Sequence, residues 1–225
     1  GADEGLAALK AALDTLPDDA VVATAPFAHV TLLDDPAAQL KAARCLARHL
    51  AAQARPFTPR RSDWRPDGAR RLRLGYLSAD FHEHATCILM AEMFEHHDRS
   101  RFEVTLYSHG KSDGSAMRRR IEQACEHFVD LRGLSDGDIA ARIHADGCDL
   151  LVDLKGYTRN HRVGVLAWQP APVTATFLGF PGSTGADFID YLVGDPVVTP
   201  LEHAPFYSEH LAQMPVCYQP NDRQR

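Results

Sequence analysis

The chain has 225 residues, 45% of them apolar and 24% charged, and a formal net charge of −6. That is the composition of an ordinary globular protein of one or two domains, and the acidic balance leaves no basic footprint for nucleic acid. Five scattered cysteines (Cys45, Cys87, Cys125, Cys148, Cys217), odd in number and without CxxC spacing, argue for reduced thiols in a cytoplasmic protein. No apolar run reaches membrane-spanning length, and Gly1-Ala2-Asp3-Glu4 is no signal peptide. The chain begins abruptly on a helical pattern, so Gly1 reads as the boundary of a fragment.

Leu6, Leu9, Ala12, Leu13 and Leu16 mark an amphipathic helix stopped by Pro17-Asp18-Asp19. It is either a plain packing helix or the second helix of a tetratricopeptide repeat, whose own apolar face would need earlier repeats to cover it. His29 reads as a packed structural histidine. Asp35-Pro36 is a helix start, with Asp as the cap and Pro at the first helical position, and the helix continues through Leu40, Ala43, Leu46 and Leu50 to about Ala54. The stretch from Arg55 to Arg71, broken by Pro56, Pro59, Pro66 and Gly68, is a linker whose arginines are most simply solvated.

From Leu72 onward strands and helices alternate. Strands are expected over 72–77, 102–107, 127–131, 149–154, 173–178 and 188–193. Helices are expected from Ala85, around Met117–Cys125, from Ser135 to a stop at Gly147, and as a short piece over 163–168. The apolar run Leu150-Leu151-Val152 suits a strand buried on both faces of a parallel sheet. Alternation of this kind is α/β with right-handed crossovers, and ligands of such folds sit beyond the carboxyl ends of the strands.

Three segments could carry chemistry. The turn after the first strand holds Asp80, His82, Glu83 and His84. His82 and His84 could ligate a metal, but nothing else has ligand spacing. His84 is alternatively an acid/base residue, since a neutral imidazole can accept a hydroxyl proton near pH 7. At the end of the fourth strand, Lys155, Gly156 and Tyr157 are read either as a cleft edge carrying a positive charge or as a tight turn with a solvated lysine. After the fifth strand, Gly179-Phe180-Pro181-Gly182-Ser183-Thr184-Gly185 is a glycine-shaped loop that is neither a Walker loop nor part of a GxGxxG motif. On its own it reads as a structural turn.

These motifs together resemble the catalytic region of O-GlcNAc transferases. Leu72-Arg73-Leu74-Gly75-Tyr76, Ser78, Asp80-Phe81, His84 and Leu89-Met90 fit that family's opening segment. Gly156-Tyr157-Thr158, Pro170-Ala171-Pro172, Leu178-Gly179, Pro181-Gly182, Asp190-Tyr191 and Tyr207-Ser208-Glu209 fit later ones. Asp153 and Lys155 depart from the asparagines common in its animal members. The resemblance implies an α/β, Rossmann-like parallel-sheet lobe of a two-lobed GT-B glycosyltransferase over 71–225. It is preceded by a tetratricopeptide-like helical segment over 1–55 and the linker over 56–70, and the nucleotide-binding second lobe is not in this sequence. The implied function is protein O-GlcNAc transfer, inverting, from UDP-GlcNAc to Ser or Thr hydroxyls. His84 would be catalytic, and Asp80, Lys155, Gly156, Tyr157, Gly179, Phe180, Pro181 and Gly182 would bind substrate. No metal and no other cofactor would be needed. The implied partners are a UDP-sugar, a protein or peptide acceptor and the second lobe, with no nucleic acid and no membrane. A SPINDLY-like O-fucosyltransferase using GDP-fucose and a non-catalytic interaction module are the alternatives.

Overall fold

The structure, a computed structural model, describes residues 2–57, 65, 68 and 70–224. Three helices come first: α1 (Ala2–Asp14), α2 (Pro26–Leu32) and α3 (Pro36–Ala51). Asp35 caps α3, its Oδ1 accepting from Ala38 N at 3.0 Å, with Pro36 at the first helical position. Helix α2 was not expected from sequence; at seven residues it is too short to show a period.

The α/β part adds β1 (Leu72–Ser78), α4 (Ala85–Glu95), β2 (Phe102–Ser108), α5 (Ala116–Gln123), β3 (His127–Asp130) and α6 (Asp136–Ala145). It continues with β4 (Leu150–Asp153), α7 (Gly164–Ala167), β5 (Val173–Phe177), β6 (Tyr191–Gly194), a 3₁₀ turn (Leu201–Phe206) and β7 (His210–Gln213). The seven strands form one sheet in the order β3-β2-β1-β4-β5-β6-β7, every pairing parallel. β7 adds a strand that the sequence reading lacked, and β6 begins three residues later than expected. The strand order reverses at β1, which lies between β2 and β4, so the ends of β1 and β4 flank the topological switch point.

Alternation along the strands supplies both faces. Leu74, Tyr76, Val104, Leu106 and Val152 pack with Met90, Phe94 and Ile121 of α4 and α5. Leu77, Tyr107, Val129 and Leu151 pack on the other face with Ile139, Ile143, Val165 and Leu166. Ala43, Leu46 and Ala47 of α3 belong to this second cluster, so α3 is part of the α/β core. Among the described residues no helix is long and apolar enough to cross a membrane.

Most of the expected linker, including Pro59 and Pro66, lies outside the described residues. Its ends correct the solvated-arginine reading. Arg70 makes a two-pronged pair with Asp149 at 2.6 and 2.8 Å, and Arg71 reaches Glu126 at 3.0 Å. Phe57 stacks on His144 and hydrogen-bonds the carbonyl of Trp168. These partners lie far off in sequence, which is why the linker composition did not reveal them.

Removing the Asp35 side chain leaves an N-terminal N–H of α3 without its acceptor. Asp35→Ala is expected to lower stability by about 1 kcal/mol. Chemical denaturation reads this directly, and an unchanged midpoint would remove Asp35 as a functioning cap.

Candidate active site

The turn after β1 is fixed from several sides. Asp80 N donates to Ser78 Oγ at 3.0 Å, and the Asp80 carbonyl accepts from His82 N at 2.8 Å and from Cys87 Sγ at 3.0 Å. Phe81 is fully buried, edge-on to Phe94 and Phe128, and Arg118 donates to its carbonyl at 3.0 Å. Asp113, on the loop after β2, accepts from Glu83 N at 2.9 Å. His84 then caps α4, its Nδ1 accepting from Thr86 N at 3.2 Å.

Lys155 follows β4, the strand next to β1. Its Nζ lies 2.6 Å from Asp80 Oδ2, and both residues are buried. His84 Nδ1 lies 3.7 Å from the same Asp80 oxygen. Partial burial lowers the His84 pKa; Asp80 opposes this, while Lys155 and His82 reinforce it. The ring is therefore neutral at physiological pH. The structure thus brings Asp80, His84 and Lys155 into one cluster. It corrects the reading of Lys155 as a solvated turn residue: the side chain is buried against Asp80, itself a cleft-lining residue. Nothing local in the sequence signals this, because the partner lies 75 positions away.

Asp153 lies beneath the pair, fully buried. Burial pushes its pKa up to about 7 even though Gly156 N donates to its Oδ2 at 2.5 Å. Gly156 has φ +48°, and a Cβ there would lie 2.2 Å from Phe180 Cβ, so only glycine fits.

The remaining expected site residues divide by role. Tyr157 is buried and donates its hydroxyl to Thr184 O at 2.7 Å. Phe180 is buried between Phe27 and Tyr157. Gly179 sits so close to β4 that a Cβ would meet Leu154 O at 2.1 Å. Tyr157 and Gly179 pack as framework. Phe180 also lines, with Pro181, Gly182, Leu178 and Tyr207, a separate apolar pocket of about 120 Å³. The buried carboxylate of Glu209 ties the loop down, accepting from Ser183 Oγ and Thr184 N, both at 2.7 Å.

Beside Asp80 opens a cleft of about 690 Å³, bounded by the ends of β1 and β2 and by the loop after β4. His109 and His161 line it, and the sequence reading singled out neither. The available signal was position: His109 directly follows β2 at the carboxyl edge of the sheet. Among the described residues no group of three or more His, Cys, Asp or Glu is placed to hold a metal ion. His82 turns instead toward Asp113, at 3.9 Å.

Residues 26–225 match the model of glycosyl transferase family 41. The chain is 40% identical over 207 residues to the probable UDP-N-acetylglucosamine–peptide N-acetylglucosaminyltransferase SEC of Arabidopsis thaliana, covering 88% of this chain and 21% of that protein. It is 42% identical over 147 residues to the UDP-N-acetylglucosamine–peptide N-acetylglucosaminyltransferase of Caenorhabditis elegans, covering 65% of this chain and 13% of that one. A solved structure of a mutant Thermobaculum terrenum O-GlcNAc transferase superposes with a TM-score of 0.78 at 32% identity, covering 97% of this chain and 42% of that chain. The chain thus spans about a fifth or less of the curated relatives' length and under half of the solved one. The parallel sheet and these matches agree: the chain belongs to glycosyl transferase family 41.

Proposed function

We propose that this chain is the N-terminal catalytic lobe of a cytoplasmic protein O-GlcNAc transferase, which transfers N-acetylglucosamine from UDP-GlcNAc to Ser or Thr hydroxyls with inversion. The observation that carries the reading is the Asp80–His84–Lys155 cluster at the switch point, where open α/β sheets place their ligands. The five free cysteines suit a reducing compartment. In the transfer the acceptor oxygen attacks the anomeric carbon, the bond from that carbon to the diphosphate breaks, and UDP departs with the bonding pair. The hydroxyl proton must go to a base, and His84 Nε2 is the group offered. It accepts a proton when Nδ1 carries the ring hydrogen, and Nδ1 then faces Asp80 Oδ2. Lys155 is occupied by Asp80, so the charge that offsets the diphosphate comes from the second lobe.

His84→Ala in the complete enzyme is expected to lower kcat by about 10²–10⁴-fold, leaving UDP affinity nearly unchanged. The sign of the pH effect follows from the His84 shift. A depressed pKa moves the acid limb of kcat/KM below the ordinary histidine value of 6.5, so activity persists under pH 6.5 and falls only where His84 protonates. A steady-state pH profile checks both, and a mutant with wild-type turnover would remove His84 from the reaction. Competition by UDP against GDP in the same assay separates this donor from GDP-fucose.

No metal enters this reading. Transfer by the complete enzyme is expected to survive a strong chelator. Loss of activity that a divalent ion restores would overturn the metal-free mechanism.

A further inference from the structure

Two histidines beside the cluster have no part in the mechanism above. His109 and His161 line the cleft with Asp80 and Arg162. Each ring holds one buried nitrogen that meets no partner among the described residues: Nε2 of His109 and Nδ1 of His161. Folded proteins rarely leave such groups unsatisfied, and those that remain call for an explanation. Asn160, just before His161, has φ +62°, a left-handed conformation uncommon outside glycine and found at ligand-contacting loops.

The charge around the two rings selects the ligand. Burial lowers both pKa values, that of His109 to about 4, with Arg162 and Lys155 adding to the His109 shift. Neutral imidazole both donates and accepts a hydrogen bond, which suits hydroxyls and amides. An anion would find the inner cations taken, since Lys155 holds Asp80 at 2.6 Å and Arg162 holds Asp136 at 2.5 Å. At the rim, Lys111 and Asp113 carry opposite signs.

We propose that His109 and His161 form a subsite for an uncharged, hydroxyl-bearing group lying against Asp80. Two sources share that chemistry: the sugar of the donor, and the hydroxyl side chain and backbone amides of the acceptor. The subsite rests on the glycosyl-transfer reading and deepens it. Its two buried nitrogens reach the ligand by a turn of the ring.

The test uses the full-length enzyme with His109→Ala, His161→Ala and the conservative His109→Asn and His161→Asn, which keep a short polar group. One arm measures KM for UDP-GlcNAc in acceptor-free hydrolysis, and the other KM for a Ser/Thr peptide at saturating donor. The expected result is a rise of about fivefold or more in one KM, a smaller change in kcat, and partial recovery by Asn. The arm that responds names the source. Both KM values within about twofold of wild type, even with a lowered melting point, would overturn the subsite and leave the rings purely structural. Should the Ala variants fail to fold, ¹⁵N imidazole signals of the wild-type protein titrated with N-acetylglucosamine or with the peptide decide instead. Movement of the His109 and His161 signals supports the subsite, and unmoved signals reject it. Wild-type protein that transfers while these tests fail loses the subsite alone; wild-type protein that cannot transfer loses the functional reading first.

Discussion

The Asp80–Lys155 ion pair is the constraint around which the site is arranged. Both partners are buried, so each would be costly alone, and an ion pair of this kind gains little net stability over an apolar pair of the same shape. What it does is fix geometry. It joins the turns after two adjacent strands, β1 and β4, at the point where strand order reverses. One Asp80 oxygen is shared between Lys155 and the approach of His84. Removing either charged partner would leave the other stranded in low dielectric, so the turn after β1 and the turn after β4 depend on one another.

Around that pair, much of the recognisable motif is scaffold. Gly156 allows the Lys155 turn to press against Phe180, and Tyr157 holds the Ser183–Gly185 loop through Thr184 O. Glu209, from a segment whose chemistry alone demands no role, closes the same loop through Ser183 and Thr184. α2 adds Phe27 against Phe180 and Val30 beside Gly182. The glycine-shaped loop is thus held by groups from three parts of the chain: the turn after β4, Glu209 and α2.

The parts of this arrangement that are legible in the sequence are those set by local pattern. The strands β1 to β5, the helices α4 to α6 and the Asp35 cap each follow from periodicity or from a start signal. β7 has no fully buried side chain and α2 has only seven residues, so neither carries a clear apolar pattern and tertiary pairing decides them. The dense titratable turn at Asp80–His84 lies, as the pattern indicated, just after β1 at the carboxyl edge of the sheet. The burial of Lys155, the pairing of Arg70 with Asp149 and the place of His109 did not show, because each depends on a partner tens of residues away. The sharing of one core by α3 and the sheet was hidden for the same reason; composition marks the linker between them but not the packing across it.

In the proposed transfer, the double use of His84 couples the helix cap to the chemistry. In the capping form its Nδ1 lone pair accepts from Thr86 N while facing the Asp80 carboxylate at 3.7 Å, so two acceptors confront each other. Moving the ring hydrogen to Nδ1 relieves that conflict. The Nδ1–H then has Thr86 Oγ1 at 3.2 Å and the Asp80 charge to interact with, and Nε2 gains the free lone pair that a base requires. The loss is one cap hydrogen bond at the start of α4, worth about 1 kcal/mol. Asp80 offsets that loss only while it is correctly aimed, and the contact with Lys155 Nζ 2.6 Å away holds it there. In the proposed transfer, the buried Lys155 acts through two intermediaries, Asp80 and the His84 tautomer.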